Sequence, residues 1–218
     1  MKNIIFIAPP AAGKGTQSKL VSTEYNIPHI STGDLLREEV ANGTEIGLAI
    51  KKDMESGALV KDEVITALLK ARITKDDCHH GYILDGYPRT LKQAEIYSDL
   101  LKELNYPEGV VIFFDIDKDR ALKRTLSRIT CSSCGSSYNL LVDELKPKKD
   151  NICDTCGNTL SQRADDTEEV FKTRFDTYIN STKDLIAYYE NKGLLHRILV
   201  LDKSAGDIFE EVKKVLND

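Results

Sequence analysis

The stretch Asn3-Ile-Ile-Phe-Ile-Ala-Pro-Pro-Ala-Ala-Gly13-Lys14-Gly15-Thr16 joins an apolar run directly to a turn that contains glycine and lysine. The branched and aromatic side chains of the run predict a buried β-strand, and the residues after Thr16 have helical spacing. A strand, a short loop, Gly-Lys and a helix follow one another in this way in phosphate-binding loops. The N–H groups of such a loop and the N-terminus of its helix attract an anion. We therefore expect Lys14 to reach the β- and γ-phosphates of a nucleotide; a corner that merely uses glycine is the alternative.

Apolar runs and helical patterns alternate along the rest of the chain. The predicted strands are 3–7, 28–30, 82–84, 110–116 and 197–201. The predicted helices are 16–24, 34–41, 44–55, 63–73, 91–104, 118–128, 168–189 and 207–216. Unbroken apolar runs such as Val-Val-Ile-Phe-Phe at 110–114 are typical of strands covered on both faces. The alternation predicts an α/β fold with a mainly parallel sheet.

Bulk composition narrows the class of protein. The 218 residues are 41% hydrophobic and 30% charged, which is typical of a soluble globular protein. The net charge of −5 argues against nonspecific nucleic-acid binding. No apolar run is long enough to span a membrane, and the N-terminal run is too short for a signal peptide. We expect a cytoplasmic protein without nucleic-acid or membrane partners.

One segment, residues 131–160, interrupts the alternation with a polar, glycine-containing sequence. It contains Cys131-x2-Cys134 and, after 18 intervening residues, Cys153-x2-Cys156. Four cysteines at this spacing predict a structural zinc site in which all four positions are filled. Four small buried thiols are the alternative. We expect zinc to hold a small inserted unit together and to take no part in catalysis.

Three motifs in order resemble the adenylate kinase family. They are Gly13-Lys-Gly-Thr-Gln17, His29-Ile-Ser-Thr-Gly-Asp-Leu-Leu-Arg37 and Gly81-Tyr-Ile-Leu-Asp-Gly-Tyr-Pro-Arg-Thr-Leu-Lys-Gln93. The resemblance spans essentially the whole chain, and the long insert resembles the bacterial type with a zinc-binding lid. It implies a P-loop nucleoside monophosphate kinase fold with a five-stranded parallel sheet flanked by helices. It also implies a core of 1–30, 61–126 and 167–218, an AMP-binding segment of 31–60 and a lid of 127–166.

The resemblance further implies the reaction and the residues that perform it. The reaction is reversible phosphoryl transfer between MgATP and AMP to give two ADP, carried out by a monomer. The catalytic residues implied are Lys14, Arg89, Arg124, Arg128, Arg163 and Arg174. The ATP-binding residues implied are Ala11, Ala12, Gly13, Lys14, Gly15, Thr16, Arg128, Ser137, Tyr138 and Ala205. The AMP-binding residues implied are Thr32, Arg37, Ala58, Leu59, Val60, Gly86, Tyr87, Pro88, Arg89, Gln93, Arg163 and Arg174. Asp34 and Asp85 would act on Mg²⁺ through water.

Some of these residues also have simpler explanations. Ser31 or Asp34 could serve only as a helix N-cap. Arg124 and Arg128 are four positions apart, so we expect them on one face of the predicted helix 118–128. A lone surface arginine is more often solvated than functional. The charge that MgATP and AMP bring is matched by a larger set, made up of Lys14, Arg37, Arg89, Arg124, Arg128, Arg163 and Arg174.

Three other functions remain open on the sequence. The nearest is another nucleoside monophosphate kinase, with UMP or CMP as acceptor or GTP as donor; Thr32 and Gln93 favour AMP by their match to the family. A P-loop regulatory switch would need a separate Walker B pattern and an effector segment, which are not evident. A zinc-ribbon nucleic-acid binder is disfavoured by the acidic charge.

Ala8 and Ala11 stand where the family usually has glycine. Because Pro9 and Pro10 fix φ near −65° within this stretch, we expect both alanines at negative φ, in a stiff loop that retains function. A positive φ at either alanine would instead cost stability or ATP affinity.

Overall fold

The computed structural model describes residues 2–56, 59–200 and 203–217. Its strands are β1 (Lys2–Ile7), β2 (His29–Ser31), β3 (Gly81–Asp85), β4 (Val110–Asp115), β5 (Arg128–Cys131), β6 (Ser137–Asn139), β7 (Leu160–Ser161) and β8 (Leu195–Leu199). Its helices are α1 (Lys14–Tyr25), α2 (Thr32–Ala41), α3 (Glu45–Ser56), α4 (Asp62–Ile73), α5 (Leu91–Glu103), α6 (Lys118–Leu126), α7 (Glu168–Asn191) and α8 (Ala205–Asn217).

The central sheet has five strands in the order β2-β3-β1-β4-β8, and every neighbouring pair is parallel. This confirms the predicted α/β fold. Successive side chains of a strand point to opposite faces. In β1, Ile5 and Ile7 belong to the hydrophobic core on one face, whereas Ile4 and Phe6 belong to the core on the other. Helices cover both faces, which explains why the strands are apolar without alternation.

Edge strand β8 differs from its predicted position. It covers Leu195–Leu199, where residues 197–201 were expected, and Leu201 lies outside the described residues. Its pairing with β4 aligns Phe113 with Arg197 and Phe114 with Ile198. The predicted start was late because His196 and Arg197 are exposed on this edge and interrupt the apolar pattern.

Helix α6 ends earlier than predicted. Its last residue is Leu126, Ser127 is the C-cap, and Arg128 begins β5. Arg124 and Arg128 therefore do not share one helical face, and that expectation was wrong. The reason is the pairing of β5 with β6, which places Arg128 opposite Asn139.

Two further parts of the chain position the site. Helix α2 begins with Ser31 as N-cap, since the Ser31 hydroxyl accepts the Asp34 N–H at 3.2 Å. The interrupting segment and the residues just beside it, from Arg128 to Ser161, form a three-stranded antiparallel sheet in the order β6-β5-β7. Among the described residues, no helix is long and apolar enough to cross a membrane.

Candidate nucleotide site

A cleft of about 760 Å³ opens at the carboxyl ends of β1 and β3, between the central sheet and the small antiparallel sheet. Ligands of parallel α/β sheets bind at this end of the strands. The predicted site residues that line the cleft are Ala11, Ala12, Gly13, Lys14, Gly15, Thr16, Asp34, Arg37, Leu59, Val60, Asp85, Gly86, Pro88, Arg89, Gln93, Arg124, Arg128, Ser137, Tyr138, Arg163 and Arg174. Residues far apart in sequence are thus brought to one cavity.

Among the described residues, three that were predicted for the nucleotide site do not line it. Thr32 and Tyr87 are 0% and 1% exposed, so they lie beneath the surface of the cleft. Ala205 is at the start of α8, and its N–H donates to the Glu144 carboxylate at 3.4 Å. Ala58 lies outside the described residues.

The loop before α1 has left-handed backbone at two positions. Gly13 has φ +96° and Ala11 has φ +58°. The expectation that both alanines adopt negative φ was therefore wrong for Ala11, although Ala8 is not among the positive-φ residues. The prolines before Ala11 fix only their own φ, and an alanine in the left-handed region costs about 1–2 kcal/mol.

Lys14 is held against the loop that precedes it. Its ammonium donates to the carbonyl oxygen of Ala8 at 3.1 Å and lies 3.5 Å from that of Pro9. It is also 3.9 Å from Oδ1 of Asp85. Burial lowers the pKa of Lys14, and the neighbouring Arg89 lowers it further while Asp85 opposes the shift. The attraction of Asp85 thus does not fully offset the cost of burying the ammonium, which favours an anion beside it.

Asp85 is the carboxylate at the end of β3. Its Oδ2 lies 3.5 Å from Nε2 of His29, a contact that the sequence pattern did not indicate. Burial raises the pKa of Asp85, but His29 and Lys14 lower it, and the net pKa is below the ordinary value. Asp85 is therefore an ionised oxygen donor facing the cleft, as a hydrated cation requires.

The turn after β3 packs tightly. The Thr32 hydroxyl donates to the Asp85 carbonyl at 3.3 Å, and Arg89 Nε donates to the Gly86 carbonyl at 2.7 Å. Gly86 has φ +86°, and a Cβ there would lie 2.9 Å from Oγ1 of Thr32 and 3.1 Å from Nη2 of Arg89. A side chain at this position would therefore crowd Thr32 and Arg89. The bond to the Gly86 carbonyl holds the arginine in position.

Gln93 is 2% exposed, and both groups of its amide have partners. Its Oε1 accepts the backbone N–H of Arg89 at 2.8 Å, and its Nε2 donates to Oδ1 of Asp62 at 2.9 Å. Sequence reasoning missed Asp62, which belongs to the first turn of α4.

Several arginines of the cleft pair with carboxylates that the motifs did not indicate. Arg128 donates through Nε to Asp166 at 2.8 Å and makes a second bond through Nη2. Arg174 donates to Asp165 at 2.6 Å. Acidic residues next to arginine in a polar segment carry no signal of their own, so only the fold identifies them.

Two other arginines add to the positive charge of the cleft, and nearby carboxylates only partly offset it. Burial lowers the pKa of Arg163, and its neighbours Arg128 and Arg37 lower it further. Burial and the neighbouring Arg120 lower the pKa of Arg124. Cations that destabilise one another favour a polyanion between them. This local excess of positive charge exists in a protein whose net charge is −5.

Asp34 is placed differently from Asp85. Its side chain is 62% exposed and lies 2.5 Å from Nη2 of Arg37, one turn further along α2. Partial desolvation raises the pKa of Asp34, whereas Arg37 lowers it, and the result is below the ordinary value. Both side chains still line the cleft.

The four cysteines Cys131, Cys134, Cys153 and Cys156 form one cluster, with all four Sγ atoms within 4.8 Å of one another. The Cys131–Cys156 and Cys134–Cys153 sulfur distances are both 3.5 Å. Two sulfurs of a tetrahedral zinc site are about 3.8 Å apart, so the cluster fits that ion.

A glycine ends each of the two cysteine turns. Gly135 has φ +68° and Gly157 has φ +74°, and each donates its N–H to the carbonyl oxygen of the first cysteine of its pair. The turns therefore bring both pairs of thiols to the same point.

Tyr138 connects this cluster to the cleft, which it also lines. Its hydroxyl lies 3.5 Å from Sγ of Cys153. A second connection joins the small sheet to the core, because Lys19 of α1 donates to the Gly135 carbonyl at 3.3 Å. The cleft is therefore covered on one side by the cysteine-containing segment.

Comparison with known proteins agrees with this geometry. The family model described as adenylate kinase matches residues 6–194. An adenylate kinase of Archaeoglobus fulgidus is 46% identical over 214 residues, which are 98% of this chain and 97% of that protein. Adenylate kinases of Methanosarcina barkeri and Clostridium tetani are 46% and 42% identical over 216 residues, each covering 98% of both chains. The match extends over the phosphate loop, the cysteine segment and the arginines of the cleft, and the chain belongs to the adenylate kinase family.

Proposed function

We propose that this chain catalyses reversible phosphoryl transfer between MgATP and AMP to give two ADP, and that the 760 Å³ cleft is where the two nucleotides meet. One observation carries the proposal. Lys14, Arg89 and Arg128, from three distant parts of the chain, line the same cleft with other arginines. Such a site suits two polyanions and has no need of a protein nucleophile, because AMP supplies the attacking oxygen.

The ATP side of the cleft is assigned to the loop and the small sheet. The N–H groups of the loop would bind phosphate oxygens, and Lys14 would leave the loop carbonyls to reach the β- and γ-phosphates. The residues assigned to ATP are Ala11, Ala12, Gly13, Lys14, Gly15, Thr16, Arg128, Ser137, Tyr138 and Ala205. The contact of Ala205 with Glu144 joins the start of α8 to the cysteine segment, which supports assigning Ala205 to the ATP side.

The AMP side is assigned to α2, the segment before α4 and the turn after β3. Arg37 and Arg89 would bind the phosphate, and the Gln93 amide would bind the adenine edge. The residues assigned to AMP are Thr32, Arg37, Ala58, Leu59, Val60, Gly86, Tyr87, Pro88, Arg89, Gln93, Arg163 and Arg174. The buried Thr32 and Tyr87 would act by supporting the turn that carries Arg89.

The chemistry expected of these residues is positioning and charge stabilisation. Lys14, Arg89, Arg124, Arg128, Arg163 and Arg174 would stabilise the phosphoryl oxygens as charge moves between the nucleotides. Bound Mg²⁺ neutralises part of the phosphate charge, and Asp34 and Asp85 would hold it through water. Excluding bulk water favours transfer to AMP over hydrolysis.

We assign residues 31–60 and 127–166 as the two closing segments, and 1–30, 61–126 and 167–218 as the core on which they move. Zinc on the four cysteines would stiffen the lid, since a filled tetrahedral site leaves no position for catalytic water. We further propose that the protein acts in the cytoplasm as a monomer without nucleic-acid or membrane partners. Its net charge of −5 supports the exclusion of nucleic acid.

The test is a coupled assay with ATP and each of AMP, CMP, UMP and GMP, with and without Mg²⁺. We expect ADP formation only with Mg²⁺ and the highest kcat/KM with AMP. A higher kcat/KM with UMP or CMP would overturn the substrate assignment and favour another nucleoside monophosphate kinase.

A further inference from the structure

We propose that Asp62 is a specificity-determining residue that fixes the orientation of the Gln93 amide, so that the cleft accepts adenine and rejects bases with a keto group at the corresponding position. The inference rests on the proposed binding of the AMP base by Gln93. It adds a residue that does not itself line the cleft.

The orientation of the Gln93 amide follows from its two partners. A backbone N–H can only donate, so the atom that faces Arg89 N at 2.8 Å must be the amide oxygen. An ionised carboxylate can only accept, so the atom that faces Asp62 Oδ1 at 2.9 Å must be the amide nitrogen. Rotating the amide by 180° would place two donors against each other at Arg89 and two acceptors against each other at Asp62.

Asp62 is itself well anchored. It lies in the first turn of α4, where a negative charge interacts favourably with the helix N-terminus. Its other oxygen, Oδ2, lies 3.2 Å from Nζ of Lys92, and its side chain is 21% exposed. Lys92 therefore engages one carboxylate oxygen, and the other remains for Gln93.

The locked amide still has unused capacity for hydrogen bonds. Its oxygen has a second lone pair and its nitrogen has a second hydrogen. Gln93 lines the cleft, so these remaining groups form an acceptor and a donor in a fixed order. Adenine offers the complementary pair, an amino group at C6 that donates and a ring nitrogen N1 that accepts. Hypoxanthine and guanine offer a keto oxygen and a ring N–H, which would face like groups.

Comparing the pyrimidine bases distinguishes the effect of the Gln93 amide orientation from the effect of pocket size. Cytosine has the same order as adenine, an amino donor beside a ring acceptor, whereas uracil has the order of hypoxanthine. The amide lock therefore discriminates against IMP, GMP and UMP, while CMP must be rejected by shape. A site that recognises a donor and acceptor pair penalises a base that leaves them unmatched.

The test compares kcat/KM for AMP, IMP and CMP in the wild type and in variants of position 62. In Asp62→Ala we expect the AMP-to-IMP ratio to fall at least tenfold while the AMP-to-CMP ratio changes less than threefold. Asp62→Asn retains an oxygen that can accept from Gln93 and should keep most of the preference. Lys92→Gln, which removes only the outer ion pair, should leave both ratios unchanged.

Asp62→Ser provides a second variant if the alanine protein melts below the assay temperature, because serine keeps a small polar side chain in the first turn of α4. An unchanged AMP-to-IMP ratio in a folded Asp62→Ala or Asp62→Ser protein would overturn the inference. Gln93→Ala distinguishes this failure from failure of the proposed function. If Gln93→Ala leaves kcat/KM for AMP unchanged, the AMP site itself is misassigned; if it lowers that value while the Asp62 variants do nothing, only the orienting role of Asp62 is wrong.

Discussion

The hydroxyl of Tyr138 lies 3.5 Å from Sγ of Cys153 and accepts the backbone N–H of Asp154 at 2.8 Å. Because that N–H can only donate, the hydroxyl proton is free to point at the sulfur. The Tyr138 side chain also packs on the small hydrophobic cluster that contains Cys131 and Cys153. One tyrosine thus contacts both the nucleotide cleft and the cysteine cluster.

Replacing Tyr138 by phenylalanine should weaken zinc binding, because a hydrogen bond to a ligand sulfur is lost. Groups that support metal ligands typically contribute about 10- to 100-fold in affinity. The measurement is the rate at which a coloured chelator removes zinc from the native protein. Tyr25→Phe is the matched control, since its hydroxyl contacts the exposed Asn217. Equal release rates in the two variants would rule out a supporting role for Tyr138.

The cysteine cluster itself should hold one zinc ion per chain. Cys131→Ser should lose the metal and melt at a lower temperature, yet retain measurable activity in the cold, because the thiols take no part in catalysis. Elemental analysis and a thermal melt measure both effects. Cys78→Ala, outside the cluster, should keep its zinc. Wild-type protein purified without chelator that contains no metal, with four titratable thiols in the native state, would contradict the assignment.

The backbone of the phosphate loop predicts opposite outcomes at two alanines. Ala11→Gly relieves a left-handed alanine worth about 1–2 kcal/mol and adds about 0.4–1 kcal/mol of unfolded-state entropy, so the free energy of unfolding should stay constant or rise by about 1 kcal/mol. Ala8→Gly removes no left-handed alanine, so its free energy of unfolding should fall by roughly 0.4–1 kcal/mol. Chemical denaturation measures both. A larger loss in Ala11→Gly than in Ala8→Gly would contradict the observed φ of Ala11.

Arg89 should be essential for the reaction. Its guanidinium lines the cleft and is fixed by the Gly86 carbonyl, so Arg89→Ala removes a prepositioned charge. We expect kcat/KM for AMP to fall roughly 100- to 1,000-fold, as when one donor to a developing charge is removed. Arg197→Ala, which breaks the ion pair between Arg197 of β8 and Asp115 of β4, should keep normal kcat/KM. Unchanged kinetics in Arg89→Ala would remove this residue from the site.

Acid should destabilise the fold partly through Asp85. Since its folded pKa is below the unfolded value of about 3.9, its contribution is present above that pH and is lost as the pH falls through the folded pKa. Asp85→Asn should therefore lose less stability than the wild type between about pH 4 and pH 2. Urea denaturation at several pH values measures the slope. Equal slopes in both proteins would show that Asp85 has the same pKa folded and unfolded.

The sequence predicted the sheet well because each core strand is an unbroken apolar run. Strand β4, for example, was expected at 110–116 and is observed at Val110–Asp115. A strand buried on both faces has an unbroken apolar sequence that marks its bounds. In an edge strand such as β8, exposed polar residues interrupt that pattern.

The parts that sequence reasoning missed depend on distant contacts. The end of α6 is set by the pairing of Arg128 with Asn139, although the helical pattern continues through Arg128. The positive φ of Ala11 is imposed by the loop and opposes the residue's own preference. Asp62 bonds Gln93 across 31 positions, and Asp166 bonds Arg128 across 38, so no local pattern could indicate either.

The Arg128–Asp166 pair has a consequence for how this architecture can change. It joins the residues that flank the cysteine segment on either side, and β5 and β7 run antiparallel beside each other with Cys131 opposite Leu160. The chain therefore leaves the core and returns at nearly the same place. Insertions or deletions between those two strands alter the cover of the cleft without shifting the order of the central sheet. We therefore expect that the cysteine segment can be replaced by one of another length while the five-stranded sheet keeps its strand order.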